Sequence, residues 1–375
     1  MEGGKLEGNW RREIGGHPSK YQKSVDDLNE WNYDHLYMTQ ARKTVVSVSE
    51  VGVYHCISRC VRRAFLCGAD SYSGNNYEHR REWVRERVEL LSGLFGMDVF
   101  AYAVMSNHLH LVVRSRPDRV LGWSDREVAE RWCKLFRGKA AIQRGDAYDA
   151  VKFQALLNDT AGLKQCRERL KDLSWFMRCL SEPLARRANL EDACSGRFWE
   201  GRFKCQRLLD EGAMLACMAY VDLNPVRASM AKGLEDSLFT SVYDRVVSKR
   251  AVARLQELGE VERPTYPQQQ QIKREKQREC RCEWLLDLDG AESPFYGVDT
   301  DYYLRLVEWT GQNLRDDKPG YIPVELEAVL DRFGLDAKKW SKNVKGYGSL
   351  FHRIVGPVDQ LLDYARRQGQ GWFRG

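Results

Sequence analysis

Two apolar runs, residues 99–104 and 108–113, are separated only by Met105, Ser106 and Asn107. This spacing narrows the folds open to the chain more than any other feature. Apolar arms of this length joined by a short polar break predict a β-hairpin. Upstream, residues 51–60 alternate in part and are rich in β-formers, which predicts another strand. Between them, Trp83, Val84, Val88, Leu91 and Leu94 fall near helical spacing with charges interleaved, predicting an amphipathic helix over 80–95. Strand, helix, strand, strand is the start of a split α/β sandwich, so the expected class is α+β.

The rest of the chain divides by composition. Residues 1–45 are polar, without clear periodicity, and read as a loosely held arm. A catalytic domain is expected over 46–244, with a mostly helical insertion at about 116–195. Residues 202–209 alternate basic and apolar side chains as a strand would, and Asp210 is a natural N-cap for a helix over 212–223. Residues 245–282 hold ten Lys or Arg against five Asp or Glu, together with Pro264, Pro267 and the run Gln268 to Gln271, and read as a basic linker. Beyond it, 302–309, 324–333 and 350–365 read as helices of a small C-terminal domain at 283–375.

Hydrophobic residues make up 43% of the 375, enough for a sizeable core and too many for a disordered chain. The first thirty residues contain no apolar run, so neither a signal peptide nor a membrane span is expected there, and the expected location is cytoplasmic. The eleven cysteines are odd in number and irregularly spaced, which argues for reduced thiols. The net charge of +6 permits a polyanionic partner without demanding one.

The chemistry concentrates in three places. On the predicted strand, His108 and His110 flank Leu109, and side chains two apart on a strand share a face, so both imidazoles can reach one divalent ion. Two histidines that merely satisfy backbone groups are the plainer reading. Tyr220 and Asn224 lie four apart, hence one turn from each other on a helix. A tyrosine attacks a phosphodiester when its proton is removed and a metal polarises the phosphate. Two imidazoles and an amide oxygen suit Mg2+ or Mn2+. The third place is the run Gly196 to Lys204, where Arg197, Arg202 and Lys204 alternate with Phe198, Trp199 and Phe203. Such a run can grip phosphates and stack on unpaired bases, or its aromatics can be core and its charges solvated. Arg59, Arg62 and Arg63 invite the same two readings.

These pieces together resemble the REP-associated tyrosine transposases, single-tyrosine members of the HUH endonuclease superfamily. The resemblance is carried by Tyr54-His55 with Ser58-Arg59, by Ala103 to Val113, by Phe198 to Lys204, and by Tyr220 to Ala228, which includes Arg227. It implies a ferredoxin-like palm, an antiparallel sheet with flanking helices, on which His108 and His110 bind Mg2+ or Mn2+ with Asn224 as third ligand. It further implies that Tyr220 cuts single-stranded or hairpin DNA, forming a 5′-phosphotyrosine link and leaving a 3′-OH. Arg59, Arg62, Arg63, Arg197, Arg202, Lys204 and Arg227 are the candidate DNA contacts. One competing reading is a domesticated hairpin-DNA-binding protein that no longer cuts. Another is a metal hydrolase in which water attacks. Monomer and homodimer are both open.

Overall fold

The computed structural model describes residues 45–61, 65–70, 74–259, 265–313 and 322–371. The polar arm expected at the N-terminus lies almost wholly outside them, as do Arg62 and Arg63. The chain enters the sheet as β1 (Gly52–Arg59), crosses it with helix α1 (Arg80–Leu94), and returns as the hairpin β2 (Met97–Val104) and β3 (His108–Ser115). Six helices follow: α2 (Pro117–Leu121), α3 (Asp125–Leu135), α4 (Lys139–Arg144), α5 (Ala150–Leu157), α6 (Thr160–Leu170) and α7 (Leu173–Glu191). Strand β4 (Lys204–Leu208) leads into α8 (Glu211–Asp222), started by the Asp210 carboxylate accepting from Ala213 N–H at 3.0 Å. A short helix, α9 (Asn224–Arg227), continues it.

The sheet order is β2-β3-β1-β4-β5, with each neighbouring pair among β1 to β4 antiparallel, the strand order of a ferredoxin-like palm. Every residue of β3 is buried, because both faces of the sheet are covered. Leu109, Leu111 and Val113 point to one face and join the core beneath α1 and the insertion helices. There α7 packs beside α1, giving that face of the sheet a pair of helices. His110 and Val112 take the opposite face by the two-residue period of a strand. On that face α8 is buried on nearly all sides, wedged between the sheet and the C-terminal helices in a second core.

The stretch 245–282, expected as a linker, is mostly helical: α10 (Ser241–Gly259) and α11 (Tyr266–Glu279) pack against each other. Its Gln, Lys, Arg and Glu are strong helix formers, and Pro267 sits in the first turn, where its missing N–H costs nothing. Thr265 and Gln268 close a capping box at that end. Then come α12 (Thr300–Asn313), α13 (Val324–Arg332), α14 (Ala337–Lys345) and α15 (Tyr347–Leu350). The region read from sequence as one helix over 350–365 is broken: Ile354–Val355 form β5, parallel to β4, before α16 (Val358–Arg367). Gly356 and Pro357 separate the two elements.

Two buried carboxylates tie these layers together. Asp222, at the end of α8, accepts from Ser241 Oγ, from Val242 N–H at 2.9 Å and from the Tyr303 hydroxyl at 2.6 Å. Asp244 accepts from the Tyr102 hydroxyl at 2.7 Å, from Arg85 at 3.2 Å and from Arg281.

Candidate functional site

Register assembles the site. Along β1 and β3, Ile57 faces His110 and Arg59 faces His108, while His55 faces Val112; across β4, Gln206 faces His55. Directly opposed residues share a face, so His55, His108, His110 and Gln206 all emerge beneath α8. His55 Nε2 lies 2.9 Å from His110 Nδ1, and His55 Nδ1 lies 2.7 Å from Gln206 Oε1. The His108 and His110 rings meet edge to face at 4.8 Å, and His108 Nδ1 bonds Asn107 Oδ1 at 2.6 Å. Burial holds the His110 imidazole far below its ordinary pKa, assisted by the neighbouring His108, His55, Arg227 and Arg59, so this ring is neutral.

Tyr220 hangs from α8 onto this cluster. Its ring is edge-on to His110 at 5.8 Å and to His55 at 6.0 Å. From the other side Tyr347 stacks on it at 4.9 Å with planes 26° apart, and a Cβ on Gly348 would stand 3.2 Å from its hydroxyl. The phenol is accordingly only 5% exposed. The Arg227 guanidinium sits 4.7 Å from the centre of the Tyr220 ring, with Nη2 donating to the Lys345 carbonyl. Leu223 keeps helical backbone angles between α8 and α9, so Asn224 follows Tyr220 by one turn on the same side.

Three buried nitrogens here have no hydrogen-bond partner among the described residues: His110 Nε2, Asn224 Nδ2 and Arg227 Nη1. Leaving such a group unsatisfied costs about 1–3 kcal/mol, so their concentration near Tyr220 marks a place built for something polar. His110 Nε2 suits a cation. The Asn224 amide can present its oxygen in place of its nitrogen, since no partner fixes its orientation. Arg227 Nη1 suits an anion. No cluster of three or more His, Cys, Asp or Glu is arranged for a metal among the described residues. A set of two imidazoles and an amide falls outside that description.

Comparison with known proteins adds little. No family model matches the chain, and no curated protein is significantly similar to it. One solved structure, of a REP-associated tyrosine transposase bound to a REP hairpin, overlaps 58% of this chain and 87% of that one. The identity is 13% and the TM-score 0.32. So loose a likeness leaves the site to stand on its own geometry.

The remaining sequence candidates are placed unevenly. Arg59 is half-buried beside the histidines, whereas Arg197, Arg202 and Lys204 are exposed on the approach to β4. Their aromatic neighbours do not form an open stacking surface. Phe198 is buried, and Trp199 packs on it edge to face while its indole N–H bonds the Ser181 carbonyl at 2.8 Å. For these two residues the core reading holds. Three site residues carried no assigned role in the sequence reading: His55, Gln206 and Tyr347. His55 joins the histidine pair only through the pairing of β1 with β3. Gln206 and Tyr347 depend on pairings across the fold that no local pattern announces. Among the described residues, no helix is long and apolar enough to cross a membrane.

Proposed function

We propose that this protein is a metal-dependent, tyrosine-nucleophile DNA endonuclease and strand transferase acting on single-stranded or hairpin DNA. The observation that carries the reading is the packing of Tyr220 against His110, a neutral imidazole whose Nε2 is buried without a partner. His108, His110 and Asn224 are the residues to hold Mg2+ or Mn2+. A divalent ion at that place would polarise a non-bridging oxygen of the scissile phosphate. The Tyr220 phenol loses its proton and its oxygen bonds to phosphorus. The P–O3′ bond breaks, the 3′ oxygen takes up a proton, and a 5′-phosphotyrosine remains. Arg227, already against the ring, offers its unpartnered N–H to the phosphate.

The test is incubation of end-labelled single-stranded and hairpin DNA with the protein and Mn2+ or Mg2+, followed by denaturing electrophoresis. A covalent protein–DNA adduct is expected with the unsubstituted chain and none with Tyr220→Phe. An adduct that survives the substitution overturns the nucleophile, and cleavage without any adduct assigns the attack to water. The cover of Tyr347 and Gly348 over Tyr220 favours one second reading, a hairpin-DNA-binding protein that does not cut. Under that reading the hairpin binds and no product forms with either metal. Under the first, the segment 346–351 moves aside when DNA enters.

A further inference from the structure

We infer that Gln206 and His55 form a positioning relay that fixes the tautomer of His110, with its origin in the backbone of the C-terminal segment. The inference rests on the metal reading above for its purpose, although for neutral rings the proton positions follow from hydrogen bonding alone. Gln206 Nε2 lies 3.0 Å from the Phe351 carbonyl oxygen and 2.6 Å from that of His352. Carbonyl oxygens only accept, so the amide nitrogen must face them and the amide oxygen must face His55. That oxygen, 2.7 Å from His55 Nδ1, also only accepts, so Nδ1 carries the proton. When His55 is neutral, as the alkaline pH of the test below favours, its Nε2 carries a lone pair, and at 2.9 Å it accepts from His110, which places the His110 proton on Nδ1. The remaining ring nitrogen, His110 Nε2, is left with its lone pair outward, and this is the atom without a partner. Four hydrogen bonds thus convert the position of two peptide carbonyls into the availability of one lone pair. A partner on one ring nitrogen commonly sets which nitrogen of a ligating histidine meets the metal. Here that partner is itself a histidine, and the chain of dependence runs out of the palm to the residues just before β5.

The experiment uses full-length protein labelled with 15N-histidine, free of added metal and at mildly alkaline pH. Long-range 1H–15N correlation spectra, assigned by single-histidine replacement, report the tautomer of each ring. His55 and His110 are both expected as the Nδ1–H form, and a proton on Nε2 of His110 overturns the relay without the need for any variant. Gln206→Met removes the acceptor, and His110 is expected to shift towards the Nε2–H form. Mn2+ affinity measured by calorimetry is expected to fall about 10- to 100-fold in the same variant. An unchanged His110 tautomer in a folded Gln206→Met protein overturns the proposal even if Mn2+ affinity declines. Failure of Mn2+ to bind the unsubstituted chain sinks the metal reading instead, with the imidazole resonances still deciding the relay.

Discussion

Replacing Asp222 should be among the most damaging single changes available near the site, and the structure supplies the magnitude. The carboxylate is fully buried and accepts from three donors on two other helices. In Asp222→Ala the Val242 N–H cannot turn to another acceptor, which costs about 1–3 kcal/mol for an unsatisfied buried donor. The Ser241 and Tyr303 hydroxyls can rotate, so each forfeits about 1 kcal/mol, the net worth of an ordinary hydrogen bond. The expected loss is therefore about 3–5 kcal/mol, a large part of the roughly 5–15 kcal/mol that typically holds a domain folded. Asp222→Asn keeps one acceptor oxygen for Ser241 and Val242 and should lose only about 1 kcal/mol. Urea unfolding of the three proteins gives the comparison, provided the denaturant slope stays constant. A loss below about 1 kcal/mol in Asp222→Ala would falsify the assignment of these bonds as the tie between the tyrosine helix and its neighbours. The charge makes a separate prediction. Burial raises the Asp222 pKa above the ordinary carboxylate value, against the pull of Arg245 and the three donors. Its contribution is thus full below the unfolded pKa of about 3.9 and is lost as pH rises through the folded value. The stability of the native chain relative to Asp222→Asn should accordingly decline with rising pH across that window.

Three further outcomes follow from the same geometry. Tyr347→Ala should uncover Tyr220, so nitration of Tyr220 by tetranitromethane, read by peptide mass mapping, should accelerate several-fold; an unchanged rate would mean that Tyr347 is not the cover. Arg227→Ala should weaken single-stranded DNA binding about equally for all sequences and flatten the log K versus log salt slope by about 0.7, the value of one lost phosphate contact, and an unaltered slope would remove Arg227 from the DNA contacts. Asp244→Ala leaves Arg85, Arg281 and the Tyr102 hydroxyl around a buried gap and should destabilise by about 3–5 kcal/mol in thermal or urea unfolding, with a change under about 1 kcal/mol counting against the network.

Local pattern carried the hairpin, α1, the Asp210-capped α8 and the helical character of the insertion, because each is written within a dozen or so residues. Patterns that needed a distant partner were not legible. Ile354 and Val355 are two β-branched residues in a stretch with helical periodicity, and only β4 makes them a strand. The basic segment over 245–282 was misread for a different reason. Its charge and prolines suggested a linker, although Thr265 and Gln268 spell a helix start. At the site, Tyr220, Asn224 and the histidine pair stood out by spacing. The supporting groups arrive by register, as His55 and Gln206 do, or from far along the chain, as Tyr347 does.

The pairing of β5 with β4 bears on the order in which the molecule comes together. Gln206 and Phe351, joined by an amide–carbonyl bond, are 145 residues apart. Closing so long a loop is entropically costly and favours late formation. A ribosome therefore releases β4 and the tyrosine helix well before it makes the residues that cover them. Through that interval the outer edge of β4 is unpaired and one flank of α8 is bare, a surface prone to association with other strands. A nascent chain would hold its histidines and tyrosine without the carbonyls that orient them, and the finished site would appear only when the last strand has docked.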